Sequence, residues 1–163
     1  MSAATFHLGA ETVRGSGTFA VRWGQRSRAR MLARFLRLPR EGPAVPVRVE
    51  IERMGDQEVW RRWFAGRPYI TRQTRRGPIR IERIGALEIR YRLRASAHEV
   101  RYAQEAVSIQ AGRLAVPLPR CLAPVVTAWA AGPDGDRFFV AVSVCAPLVG
   151  PLLSYAGYVT EEG

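Results

Sequence analysis

The run LEIRYRLRA, residues 87–95, sorts its side chains cleanly onto two faces. Leu87, Ile89, Tyr91, Leu93 and Ala95 fall on one; Glu88, Arg90, Arg92 and Arg94 fall on the other. Only an extended chain puts every second residue on the same side, so this period excludes a helix. The same period recurs. In VPVRVEIER, Val45, Val47, Val49 and Ile51 oppose Arg48, Glu50 and Glu52. ETVRGSGTFAVRW, EVWRRWF, YITRQTRR, IRIERI, HEVRYAQEAVSIQ, VVTAWAA, RFFVAVSVCA and GPLLSYAGYV read as further strands. Short turn-forming stretches separate many of them, MGDQ, GRP, RGP and GPDGD among them, with no helical pattern in between. Strands joined this way form an antiparallel meander. With one apolar face per strand, about eight or nine strands predict a mainly β fold: a strongly curved sheet, half-barrel or barrel. A flat sheet of that size would leave long edges and an uncovered face. GSG at 15–17 reads as a flexible or bulged middle of the first strand. It is not a dinucleotide fingerprint, because the apolar strand before it and the helix after it are missing.

One segment keeps a different period. In RSRARMLARFLRL, residues 26–38, Met31, Leu32, Phe35, Leu36 and Leu38 share an arc at helical spacing, opposite Arg26, Arg30, Arg34 and Arg37. This predicts one amphipathic helix near the N-terminus, capped by Ser27 and ended by Pro39. Its apolar stripe would close the core and its arginines would be solvated. The alternative is that it lies on an anionic membrane surface.

A chain of 163 residues is long enough for one domain, 1–163, with residues 1–10 expected to be flexible. No apolar run reaches the roughly 18 residues of a spanning helix. The start, MSAATFHLGAETVRGSG, has neither a basic nor an apolar leader region, so a cytoplasmic location is expected. Cys121 and Cys145 read as small buried hydrophobes. The net charge of +11 comes entirely from arginine, with no lysine and no asparagine in the chain. That is the signature of GC-rich codons more than of a phosphate-binding surface. Arg90, Arg92 and Arg94 could track phosphates, but no aromatic side chain shares their face for bases to stack on. Nucleic acid is therefore not the expected partner, and the stripe should pair with glutamates such as Glu50, Glu52 and Glu105.

Catalytic signatures are missing. His7 lies near the start and His98 beside Glu99 at a turn, without metal-ligand spacing, and neither cysteine belongs to a CxxC. Asp56, Asp134 and Asp136 sit in turns. No catalytic residue, metal site or cofactor is expected. Trp60, Trp63, Phe64, Tyr69, Tyr102, Trp129, Phe138 and Phe139 are bulky groups in strands. A barrel of this size either fills its interior with such groups or leaves room for one small ligand. GRLAVPLPRCLAP, residues 112–124, bears on that choice. Pro117, Pro119 and Pro124 oppose regular pairing, while Leu114, Val116, Leu118 and Leu122 need cover. Such a segment fits over the open end or seam of a curved sheet, as a structural lid or as the rim of a lipophilic pocket. As a pocket, its lining would be Leu114, Val116, Leu118, Leu122 and Trp129. Leu152 and Tyr155 of GPLLSYAG would add the neighbouring wall.

CAPLVGPLLSYAGYV, residues 145–159, resembles the closing signature of a bacterial domain-of-unknown-function family, number four-one-six-six. Its P-L-x-G-x-L-x-x-Y-x-G pattern falls on Pro147, Leu148, Gly150, Leu152, Tyr155 and Gly157. RLAVPLPRCLAP is similar to the family's proline-interrupted segment, and VPVRVEIER with EVWRRWF to its early paired strands, so the resemblance runs from about Gly15 to the end. Ala146 stands where many members have a histidine. The resemblance implies no catalytic residues. Family members occur alone or fused behind saccharopine-dehydrogenase-like or short-chain nucleotide-binding modules, which implies an accessory module. The leading expectation is a non-catalytic barrel that binds a small apolar ligand. The alternatives are a docking module for a partner oxidoreductase and peripheral membrane association through residues 26–38.

Overall fold

The structure, a computed structural model, describes residues 12–134 and 136–162. Residues 1–10 and His7 lie outside them. The elements run β1 (Thr12–Trp23), α1 (Ser27–Phe35), β2 (Gly42–Met54), β3 (Gln57–Phe64), β4 (Arg67–Arg76) and β5 (Ile79–Ile84). They continue with β6 (Leu87–Ala95), β7 (Glu99–Ala111), β8 (Leu114–Pro117), β9 (Val125–Asp134), β10 (Arg137–Ala146) and β11 (Gly150–Glu162).

Strands β1 to β7 pair in sequence order, β7 pairs onward with β9, and β9, β10 and β11 lead back to β1. All pairings are antiparallel. Of the forms the sequence allows, the chain adopts the closed one, a barrel of ten strands. That is more than the expected eight or nine, and β8 adds an eleventh as a short flap on β7. Tight turns make the meander possible. Between β3 and β4, for example, Ala65 and Gly66 both have positive φ (47° and 80°), the pair of values that matches the twist of a two-residue hairpin.

Period two works as expected in β1, β2 and β6. Val45, Val47, Val49, Ile51, Ile89 and Tyr91 are buried, and Phe19, Phe64 and Tyr155 pack ring against ring at 5.3–6.1 Å between centroids. On the outside, Arg61 bridges Glu50 and Glu52, Arg14 reaches Glu50, and Arg92 pairs with Glu105. GSG is paired without a bulge to both β2 and β11; the irregularity of β1 falls later, between Phe19 and Val21. A side chain at Gly17 would overlap the Tyr158 carbonyl, and one at Gly157 the Thr18 carbonyl, so these glycines let β1 and β11 approach closely.

The helix keeps its expected role only in part: Leu32 and Leu38 of its stripe are half-buried on the barrel, while Met31 and Phe35 are not. Ala29 and Ala33, not the large residues, are its buried positions, packed on Leu152. Met31 and Phe35 are 69% and 81% exposed, and Leu36 is exposed too. The reason is close approach: only the alanine face lets α1 lie against β11. Ser27 is the first helical residue, and Arg26 in the cap position makes no side-chain capping bond. At the other end Arg37 takes a left-handed conformation (φ 53°), with Leu38 N–H bonded to the Ala33 carbonyl, so the helix ends before Pro39. Cys121 and Cys145 are exposed free thiols, not buried ones.

The register fixes what shares an end. Trp23 pairs with Leu153, Cys145 with Val125 and Ala146 with Gly150. Helix α1, the 118–124 segment and the 147–149 turn therefore gather at one mouth of the barrel.

Candidate functional site: the barrel interior

Following the ladder inward from β2 gives rows that hydropathy alone does not suggest. Val49 faces Arg62, which faces Tyr69; Ile51 faces Trp60, which faces Thr71; Glu58 faces Gln73, then Glu82, then Ile89. In β5, Arg80 and Glu82 take the inward register, and Ile79 and Ile81 the outward one. One apolar face per strand, as expected, does not hold in β3–β5. Burial agrees: Glu58, Thr71, Gln73 and Arg80 are all buried.

These rows enclose a cavity of about 560 Å³. Its wall has two characters. From β9, β10 and β11 come Val126, Ala128, Ala130, Val140, Val142, Val144, Leu153 and Val159, with no charged group among them. From β3 to β7 come Arg62, Gln73 and Glu82, with Tyr69, Tyr91 and Tyr102; Tyr155 of β11 closes the ring. Leu32, Leu36 and Leu38 beside α1, with Leu122, Pro147 and Val149, border the cavity at the mouth.

The polar wall is organised around two arginines. Arg80, 2% exposed, places a guanidinium nitrogen 2.9 Å from Glu58, and the same carboxylate accepts from Arg53 (3.2 Å) and from the Trp60 indole N–H (3.1 Å). Arg62 is held differently. One of its nitrogens donates to Thr71 Oγ1 at 3.2 Å, and its guanidinium sits over Trp60, 4.8 Å from the ring centroid. Its nearest carboxylate, Glu82, is 3.9 Å away, beyond hydrogen-bond reach, and Glu82 accepts from Gln73 at 3.3 Å. Burial pushes the Tyr102 hydroxyl up to about 12, with Arg80 opposing, and burial raises Tyr69, Tyr91 and Tyr155 as well. All four are neutral phenols through the physiological range, able to donate and accept hydrogen bonds.

The proline-rich segment answers to the seam. Strand β7 pairs with β9 only from Glu99 to Tyr102, and with β8 only from Ser108 to Ala111. Between them Gln104 substitutes for main chain: its amide donates to the Pro124 carbonyl (2.8 Å) and accepts from Val126 N–H (2.7 Å). Proline does not prevent β8, because Pro117 is its last residue. Residues 118–124 then cross the gap, with Leu118 and Ala123 packed against Ile89, Tyr91 and Val107.

Of the pocket residues expected from sequence, Leu122, Trp129, Leu152 and Tyr155 border the cavity. Tyr155 is buried and stacked on Phe19. Leu152 sits under α1, and Trp129 also packs on Phe139 along a shallow outer groove. Leu114 and Val116 are exposed on β8, and Leu118 serves the seam. Sequence reasoning missed Arg62, Gln73 and Glu82; it had Tyr69 and Tyr102 among the bulky groups that could fill the interior and Tyr91 on the apolar face of its strand. The available signal was in β5, IRIERI, where Arg80 and Glu82 share a face. His98 is an exposed turn residue, and no group of His, Cys, Asp or Glu among the described residues could hold a metal.

The family model described as Domain of unknown function (DUF4166) matches residues 3–159. The chain belongs to that family. No curated protein and no solved structure matches it. The family's closing pattern now has a physical content. Pro147 and Tyr155 border the cavity, Gly157 permits the β1–β11 contact, and Leu148 takes a left-handed conformation (φ 64°) while 85% exposed at the mouth.

Proposed function

We propose that this DUF4166 chain is a non-catalytic carrier or sensor that binds one small, predominantly apolar ligand inside its barrel. The cavity carries the reading: about 560 Å³ of space with an extended apolar wall, within the 300–1,000 Å³ common for small-molecule sites. A few converging polar groups set against an apolar lining are what such sites use to fix orientation. Native mass spectrometry of the gently purified protein, followed by solvent extraction, tests it. A stoichiometric lipophilic adduct, or saturable uptake of an added one, is the expected result. A protein that carries none and takes up no apolar probe sinks the reading.

One observation favours a second reading, association with an anionic membrane surface through residues 26–38. Met31, Phe35 and Leu36 are exposed beside Arg28, Arg34 and Arg37, at the same mouth as exposed Leu122 and Leu148. No helix among the described residues is long and apolar enough to cross a membrane, so contact through α1 would be peripheral. Sedimentation with anionic vesicles at low salt, lost in a Met31→Ser/Phe35→Ser variant, is expected. Failure of the parent chain to sediment removes this reading and leaves the first intact.

A further inference from the structure

The polar wall narrows the ligand's chemistry. Arg62 borders the cavity, and a guanidinium carries five N–H donors in a fixed fork. The structure engages Arg62 through one hydrogen bond, to Thr71, and through the faces of Trp60 and Tyr69, which leaves most of its five donors without a hydrogen bond. Glu82 stays 3.9 Å off. Arg80 differs in access: its Nε and Nη1 make no hydrogen bond either, but it is buried in an ion pair with Glu58 and is absent from the cavity lining.

Arg62 is also the arginine that the cavity reaches: its side chain is 12% exposed, and its only carboxylate neighbour within 4.0 Å among the described residues is Glu82. The opposite wall, Val126, Ala128, Ala130, Val140, Val142 and Val144, offers only hydrocarbon.

We infer that the ligand is an amphipathic monoanion, a proposal that rests on the lumen-binding reading above. Its carboxylate seats on Arg62, and its hydrocarbon tail lies along β9–β11. The carboxylate takes up N–H donors that the single hydrogen bond from Arg62 to Thr71 leaves unused. The neighbouring tyrosine hydroxyls supply further donors to the carboxylate's remaining lone pairs.

Titration of the delipidated full chain with tetradecanoate, tetradecanol and methyl tetradecanoate, followed by calorimetry, tests the head group with the tail held constant. The acid is expected to bind roughly ten- to hundredfold tighter than the alcohol or the ester, the gain of a charge-assisted hydrogen bond. Arg62→Met should erase that preference while the alcohol still binds. Equal affinity of the parent chain for all three probes overturns the head-group inference and leaves the lumen reading standing. Binding of none of them overturns both. The parent chain's own ranking decides the question even if the Arg62→Met chain does not fold.

Discussion

Glu58 lies between Arg53, Arg80 and the Trp60 indole, buried with Arg80 on the inner face of the barrel. Taking two charges out of water costs several kcal/mol per ion, which their attraction repays only while both are present. Glu58→Leu leaves Arg80 buried without its nearest counter-charge. We expect a loss of roughly 3–5 kcal/mol in denaturant unfolding. The Glu58→Leu/Arg80→Met double variant should recover most of that, since it removes the orphaned charge too. If the single variant costs no more than a surface substitution, the pair is not what organises this wall. The pairing was not legible in the sequence. Glu58 and Arg80 meet from β3 and β5 with β4 between them, and nothing local to either residue marks the partner. Tyr155 was legible as a wall residue from GPLLSYAG, although residue type alone does not decide it: Tyr158 in the same strand is 43% exposed.

Strands differ in how openly they declare themselves. In β2 and β6 the inner face meets hydrocarbon and the outer face meets water, so hydropathy alternates and the register can be read directly. In β3, β4 and β5 the inner face meets a polar half-lumen, and the alternation is lost or inverted: Ile70 is outward and 52% exposed while Thr71 is buried. Helix α1 was legible as a helix but not in its contact face, because hydrophobic size pointed to Met31 and Phe35 whereas close approach selected Ala29 and Ala33. The β7–β9 seam carries its own prediction. Gln104 satisfies a carbonyl and an amide that no strand reaches, so Gln104→Ala should cost roughly 1–3 kcal/mol. Hydrogen exchange should quicken at Val126 and its neighbours while amides in the β10–β11 ladder keep their protection. Uniform loss of protection around the barrel would mean that the seam is no weaker than the rest.

Across the whole molecule, the interior is set for neutral phenols. Tyr69, Tyr91, Tyr102 and Tyr155 all have hydroxyls raised above the ordinary value, chiefly by burial. A raised folded-state value means the protonated form is favoured on folding. That contribution is complete below the unfolded value of about 10 and is lost as pH rises through it towards the folded values. Stability should therefore fall steeply from about pH 10 upwards. In the native protein the phenolate absorbance of these four should lag behind that of the denatured chain, Tyr102 ionising only near 12. Phenolate absorbance that rises identically in both states would contradict the burial.

Closure through β1 and β11 has a further consequence. Arg14 stands opposite Glu162, and Thr12 opposite Glu52, so the first and last described residues lie close together at the end of the barrel away from α1. Thr12 and Glu162 thus sit at the handle of the cup, opposite its lip.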